Sequence, residues 1–253
     1  MKALAIIPTY DEKDNLATLV EEIRLHTKAY DVSILIVDSN SPDGTGKVAD
    51  QLARGDSKIF TLHQPKKMGL GKAYLDGFRW ALDSEFDVIV TMDADFSHDP
   101  RYIPQMLAQL KNYDLIVGSR HVAGATFVNW PFYRKLLSRF ANWYARTIIG
   151  VGLHDLTNAF QCFHQKFLRA ILEPEPRSEG YSFLIELKLR LLMQGARVLE
   201  IPITFKDRTR GQTKISKRVI WESAFRVWQF GVERRFGTSN KSYSLQLPLS
   251  PDR

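Results

Sequence analysis

The chain has 253 residues, 44% of them apolar and 25% charged, with one cysteine. That apolar content excludes disorder as the main state and suffices for a single large α/β core or two smaller ones, and a lone Cys162 excludes an internal disulfide. Lysine and arginine number 35 against 28 acidic residues, a net charge of +7, which suits nucleic acid, anionic lipid or a phosphorylated substrate and does not choose among them.

The first half alternates strand and helix. Ala3 to Pro8 reads as a short strand, and Leu16, Leu19, Val20 and Ile23 follow at helical spacing. Val32 to Val37 is a nearly continuous apolar strand ending in Asp38, followed by a turn-rich Ser39 to Gly44 and a helix to about Arg54. Ile59 to Leu62, a helix from Gly71 to Asp83, Asp87 to Met92, a helix opened by Pro100, and Leu115 to Val117 continue the pattern. Runs buried on both faces and separated by helices predict a largely parallel sheet covered on each side. From His121 the alternation lapses: a loop and Trp130-Pro131 lead to a helix from Phe132 to Ile149, then a helix near Tyr181 to Met193, a strand from Arg197 to Ile201 and a helix from Ser216 to Phe236. The Ser/Pro-containing tail, 237–253, is expected to be poorly ordered.

The basic excess concentrates late. Residues 206–236 carry nine basic side chains against Asp207, Glu222 and Glu233. In the last helix Trp221, Phe225, Trp228 and Val232 form a stripe at helical spacing beside Lys217, Arg218, Arg226, Arg234 and Arg235, a composition suited to domain packing, a membrane interface, or both on different faces. No apolar run approaches the roughly 18 residues of a spanning helix, and Met1-Lys2-Ala3-Leu4 has no signal-peptide layout. The expectation is a cytoplasmic protein.

In open parallel sheets, ligands bind beyond the carboxyl ends of the strands. Three such ends are rich in chemistry: Pro8-Thr9-Tyr10-Asp11-Glu12, the Asp38 turn, and Asp93-Ala94-Asp95. Two carboxylates one residue apart repel unless a cation or basic group joins them, and a divalent cation there would commonly bring a diphosphate. A capping turn is the alternative for Asp-x-Asp. Gly44-Thr45-Gly46-Lys47-Val48-Ala49 matches a dinucleotide fingerprint only formally and reads as a turn and helix start; Gly69-Leu70-Gly71-Lys72-Ala73 lacks the first glycine and the Ser/Thr of a phosphate loop. Arg120 follows a strand and could grip a phosphate, while Arg134 and Ser138 project from one helix face. The segment Asp207 to Lys214 sets three basic groups around Gly211, suiting either a loop over an anion or ordinary solvated surface. The six histidines show no metal-ligand spacing and read as ordinary surface or core residues.

Taken in order, these pieces resemble the dolichyl-phosphate (polyprenyl-phosphate) mannosyltransferases of the family 2 glycosyltransferases, over about residues 3–236. The resemblance rests on Pro8 to Glu12, Ser41 to Thr45, Gly69 to Tyr74, Met92 to Pro100, Gly118-Ser119-Arg120, Asn129-Trp130-Pro131, Gly180 to Phe183, and Asp207 to Gly211 with Lys214. It implies a GT-A fold: a Rossmann-like, mainly parallel sheet flanked by helices, with a C-terminal amphipathic helix. One catalytic domain would span 1–236, with a nucleotide-sugar half over 1–120 and an acceptor half over 121–236.

The resemblance also implies inverting transfer of mannose from GDP-mannose to a polyprenyl or dolichyl phosphate. Pro8, Tyr10, Glu12, Val37, Ser39, Asp93, Ala94, Asp95, Arg120, Arg208 and Lys214 would form the nucleotide-sugar site. Asp93 and Asp95 would hold Mg2+ or Mn2+, and Arg120, Arg134 and Ser138 would bind the lipid phosphate. Asp95, Arg120, Arg208 and Lys214 would carry catalysis. The 216–236 helix would rest on the cytoplasmic face of a membrane, with room for a membrane partner subunit and no nucleic acid. Two departures stand out: Asp38-Ser39 where relatives commonly have two acidic residues, and Asp155-Leu156-Thr157-Asn158-Ala159-Phe160 where they often read Asp-x-Thr-Ser-Gly-Phe. The rival within the family is a polyprenyl-phosphate glucosyltransferase or other UDP-sugar enzyme; outside it, a basic nucleic-acid-binding module, which the Asp93-Ala94-Asp95 pattern disfavours.

Overall fold

A computed structural model of the protein describes residues 1–176, 178–207 and 217–236, the side chains of 217–221 and 236 excepted. Arg208, Lys214 and the tail therefore lie outside the described residues, as does the side chain of Trp221. Strands β1 (Lys2–Thr9), β2 (Asp31–Asp38), β3 (Ile59–His63), β4 (Val88–Thr91), β5 (Leu115–Ser119), β7 (Gln161–His164) and β8 (Val198–Pro202) build one sheet in the order β3-β2-β1-β4-β7-β5-β8. Two three-residue strands, β6 (Thr126–Val128) and β9 (Thr204–Lys206), pair in parallel beside it. The helices are α1 (Lys13–His26), α2 (Thr45–Gly55), α3 (Leu70–Leu82), α4 (Ile103–Gln109), α5 (Phe132–Ile149), α6 (Leu168–Leu172), α7 (Gly180–Met193) and α8 (Lys217–Phe236).

Period-two alternation sorts each apolar strand into two layers. Ala3, Ala5 and Ile7 of β1, with Ile34 and Ile36 of β2, pack on Leu16, Leu19 and Ile23 of α1 and Met106 of α4. Leu4 and Ile6, with Leu35 and Val37, face the other way onto Tyr74 and Phe78 of α3 and Phe183 and Leu187 of α7. Each fully buried Leu or Ile contributes about 1.5–3 kcal/mol, which is why these strands read as continuous apolar runs. A third cluster joins Ala145 and Ile149 of α5, Ile185 and Leu189 of α7, and Val227 of α8.

The expected parallel sheet is present with one exception. Strand β7 runs antiparallel to both neighbours, β4 and β5. After β5 the chain leaves through the carboxyl edge into β6 and α5, then re-enters from that same edge, so its next strand must run back down the sheet. Four residues, Gln161-Cys162-Phe163-His164, carry no alternation, and the sequence pattern leaves β7, β6, β9 and α6 undetected.

Two glycines explain close approaches. A Cβ on Gly71 would come 3.0 Å from the Phe183 ring, so Gly69-Leu70-Gly71 opens α3 and admits an aromatic rather than a phosphate. A Cβ on Gly231 would lie 2.7 Å from the Ile148 carbonyl oxygen, which allows α8 to lie directly on α5. Arg234 of α8 then donates to the carbonyls of Ile149 and Gly150, at 2.7 Å each, satisfying the free end of α5.

Candidate active site

Strand order reverses between β1 and β4, and their carboxyl ends bring the Pro8–Glu12 and Asp93–Asp95 segments to one crevice. Three non-glycine residues just beyond β1, β2 and β4 have positive φ: Asp11 (55°), Asn40 (55°) and Phe96 (62°). A bulky Phe in the left-handed region is costly, and such strain concentrates where loops are held for binding.

Asp38, 3% exposed, builds the β2 turn. It accepts from the Thr9 hydroxyl at 3.2 Å, the Ser41 amide at 3.1 Å and the Ser41 hydroxyl at 2.6 Å. Ser39 donates to Gln64 at 2.8 Å, and Gln64 reaches Asp76 at 2.7 Å, so the hydroxyl at this departure from the family pattern is engaged in an internal chain. Gly44-Thr45-Gly46 is a turn and helix start: Gly44 has φ 93°, and Asp43 accepts from the Thr45 amide and hydroxyl.

Pro8, Tyr10 and Glu12 are part-exposed at the end of β1; Lys67 lies over the Tyr10 ring at 3.6 Å, and Glu12 accepts from Asn15. Val37 and Ala94 are buried, so only their backbones can face a ligand. Asp93 is partly accessible, whereas Asp95 is 3% exposed, its carboxylate accepting from the Ser97 amide at 3.0 Å. Beneath them Tyr74 is fully buried, and burial together with the charges of Asp93 and Asp95 pushes its phenol well above its ordinary pKa. Its hydroxyl has no hydrogen-bond partner among the described residues.

The described residues contain no group of three or more acidic, histidine or cysteine side chains arranged for a metal. Two carboxylates at the mouth of a sheet fit a hard divalent ion that takes its remaining oxygens from a diphosphate and water.

Arg120 differs from its sequence expectation. Rather than standing free to fork a phosphate, it is 8% exposed and engages Asp155: Nε to Oδ2 and Nη2 to Oδ1, both at 2.8 Å, with Nη2 also reaching Thr157 at 2.7 Å. The Phe205 ring lies 5.2 Å from its guanidinium carbon and the Trp130 ring 6.0 Å. Burial alone would raise the pKa of Asp155, but the charge and hydrogen bonds of Arg120 outweigh it and hold the carboxyl far below the usual range. Arg134 pairs with Asp207 at 3.3 Å, and Ser138, one turn further along α5, meets the His121 ring at 3.0 Å.

A buried group that the sequence does not reveal joins the end of β4 to the segment before β7. His98 is 1% exposed; its Nδ1 accepts from the Asp93 amide at 2.9 Å and its Nε2 lies 2.6 Å from Asn158 Oδ1. Asn158 in turn donates to the Gly118 carbonyl at 2.5 Å, two residues before Arg120. Lys188, fully buried on α7, donates to the carbonyls of Leu156 and Asn158 at 3.2 and 2.6 Å. Burial, opposed by Asp155, pushes its amine down to about 7. Asn142 of α5 closes the ring, donating to Thr157 and accepting from the Leu156 amide. The five-residue spacing of Asp93 and His98 was the one local signal; Lys188, in a helix otherwise rich in leucine, was the other.

The sequence matches the profile of Glycosyl transferase family 2 over residues 4–172. It is 42% identical over 236 residues to a polyprenol monophosphomannose synthase of Mycolicibacterium smegmatis, covering 92% of this chain and 88% of that protein. It is 40% identical to an undecaprenyl-phosphate mannosyltransferase of Micrococcus luteus, covering 93% and 96%. Among solved structures it resembles glucosyl-3-phosphoglycerate synthase of Mycobacterium tuberculosis, determined with Mn2+, UDP and glucosyl-3-phosphoglycerate, with a TM-score of 0.63 at 15% identity over 92% of this chain and 79% of that one. The same synthase has been solved with Mg2+ and UDP. At that identity the likeness establishes the GT-A-like fold.

Proposed function

The chain belongs to the family 2 glycosyltransferases, and from that premise we propose that it makes a polyprenyl-phosphate mannose, taking the sugar from GDP-mannose. The observation that carries the reading is the buried chain Asp93–His98–Asn158–Gly118, which ties the acidic end of β4 to the residues that carry Arg120. A transferase needs its donor diphosphate and its acceptor held in fixed relation, and this network supplies a rigid link between two such positions.

In this reading the β1 and β2 ends, with Pro8, Tyr10, Glu12, the Val37 backbone and Ser39, receive the nucleotide. Asp93, Ala94 and Asp95 face its diphosphate, Asp93 and Asp95 being the residues that would hold Mg2+ or Mn2+. When bound there, such an ion would supply positive charge against a departing diphosphate. Arg120, fixed and charge-compensated by Asp155, would present its remaining Nη1 donor to a phosphate without reorganising, and Arg134 with Ser138 would orient the acceptor phosphate. Such a phosphate is already ionised near neutral pH, so an oxygen aligned for in-line attack inverts the anomeric carbon without a general base. Arg208 and Lys214 are assigned to the departing GDP by the family resemblance alone.

We also assign a membrane surface to α5 and α8. No described helix is long and apolar enough to cross a membrane. Yet Phe132, Leu136, Phe140 and Trp143 of α5 and Phe225 and Trp228 of α8 are each more than half exposed. Aromatic and leucine side chains in such a concentration suit the headgroup boundary of a bilayer on its cytoplasmic side, where a long isoprenoid presents its phosphate.

The test is transfer of labelled sugar into organic-extractable lipid by the purified chain with GDP-mannose or UDP-glucose, a polyprenyl phosphate, and Mg2+ or EDTA. GDP-mannose should support labelling that EDTA abolishes, and Asp95→Ala should lose most turnover, at least about a hundredfold. Labelling from UDP-glucose alone would overturn the donor assignment, and near-normal turnover of Asp95→Ala would remove its metal role.

A further inference from the structure

A cavity of about 270 Å3 lies behind His121, lined by His121, Arg139, Asn142, Trp143, Arg146 and His154. Arg139 and Arg146 are seven residues apart on α5, two turns along the same face, with Asn142 between them. Neither arginine has a carboxylate within 4.0 Å among the described residues, unlike Arg120 and Arg134. The nearby acidic groups are engaged elsewhere: Glu200 accepts from the His154 ring and from the amides of His154 and Asp155, and Asp155 is bound to Arg120. Asn142 spends its amide on Ser138, Thr157 and Leu156 and acts as a wall.

His121 forms one wall of the cavity. His121 Nδ1 is inaccessible to solvent and has no partner among the described residues, while Nε2 is taken by Ser138. Burial, with the neighbouring Arg120 and Arg139 charges, holds its pKa below the ordinary histidine value against the attraction of Asp155. Two guanidinium forks without a carboxylate partner make a set suited to a tetrahedral oxyanion, whose oxygens accept in the geometry that arginine offers. Trp143 belongs both to this cavity and to the exposed apolar face of α5, so the mouth lies at the rim of that face.

We propose that this cavity is a second phosphate-binding site, adjoining the Arg120, Arg134 and Ser138 group but with Arg139 and Arg146 as its own ligands, taking either free phosphate or the phosphodiester headgroup of an anionic lipid. The lipid source rests on the membrane contact proposed above; the site itself rests on Arg139 and Arg146.

The test is calorimetric titration of the full chain with monomeric dihexanoyl-phosphatidylglycerol, dihexanoyl-phosphatidylcholine and inorganic phosphate. The native chain, R139Q/R146Q and the charge-conserving R139K/R146K are compared, each checked for an unchanged melting temperature. The native chain should bind phosphatidylglycerol saturably and phosphatidylcholine at least about tenfold more weakly; R139K/R146K should lose about tenfold and R139Q/R146Q essentially all, since lysine keeps the charge but not the fork. Competition by inorganic phosphate assigns the site to phosphate in general, and its absence assigns it to the lipid headgroup. No binding by the native chain, or native-like binding by R139K/R146K, would overturn the proposal. So would a raised KM of R139Q/R146Q for polyprenyl phosphate in detergent free of anionic lipid, which would make the cavity part of the acceptor site. Because binding is read without turnover, a chain that binds phosphatidylglycerol but transfers no mannose would sink the proposed activity and leave this site standing.

Discussion

Asp155 has two tasks that a single substitution can separate. It neutralises a buried arginine and, through its backbone neighbours, begins the loop that Lys188 grips. Its folded pKa lies below the ordinary carboxylate value near 3.9, so its stabilising contribution is present above that value and is lost as pH falls through the folded one. Asp155→Asn should therefore destabilise at pH 7, by about 3–5 kcal/mol where Arg120 is left uncompensated, and show a shallower loss toward pH 3. Urea midpoints between pH 7 and 3 check both; equal stability of variant and native chain at pH 7 would mean that Arg120 finds another counterion. The acidic residue was visible in the sequence as part of a family segment, but its partner was not, because residues 120 and 155 meet only through the long excursion of β6 and α5.

At the scale of elements, the contact of α8 with α5 depends on a residue without a side chain. Gly231→Ala would place a carbon against the Ile148 carbonyl, and a backbone atom cannot step aside as a flexible side chain would. The expected loss is about 1–3 kcal/mol in chemical denaturation, with the Arg234 cap on Ile149 and Gly150 weakened at the same time. Unaltered stability would show that α8 is held mainly by Val227 and its neighbours. The helix itself was legible from its stripe of Phe225, Trp228 and Val232, but periodicity cannot say whether such a stripe faces a core. Here Phe225 and Trp228 face outward while Val227, outside the stripe, is buried.

Across the whole molecule, two helices that pack together both carry exposed apolar side chains, Phe225 and Trp228 on α8 and Phe132, Leu136, Phe140 and Trp143 on α5. Leu136→Ser with Phe140→Ser should leave the melting temperature nearly unchanged, since both side chains are more than half exposed, while sharply reducing sedimentation with vesicles containing phosphatidylglycerol. Full vesicle binding by that variant would remove α5 from the proposed membrane surface.

The sequence alone determined the alternating first half, the largely parallel sheet and the placing of the Pro8–Glu12 and Asp93–Asp95 segments at the ends of β1 and β4, because burial on two faces and strand-end position leave local marks in composition. Tertiary structure decided the antiparallel entry of β7, the pairing of Arg120 with Asp155, the bridge from His98 to Asn158, and which side of α8 is exposed. Each of these depends on residues far apart in the chain arriving at one place, and no local period or spacing encodes that arrival.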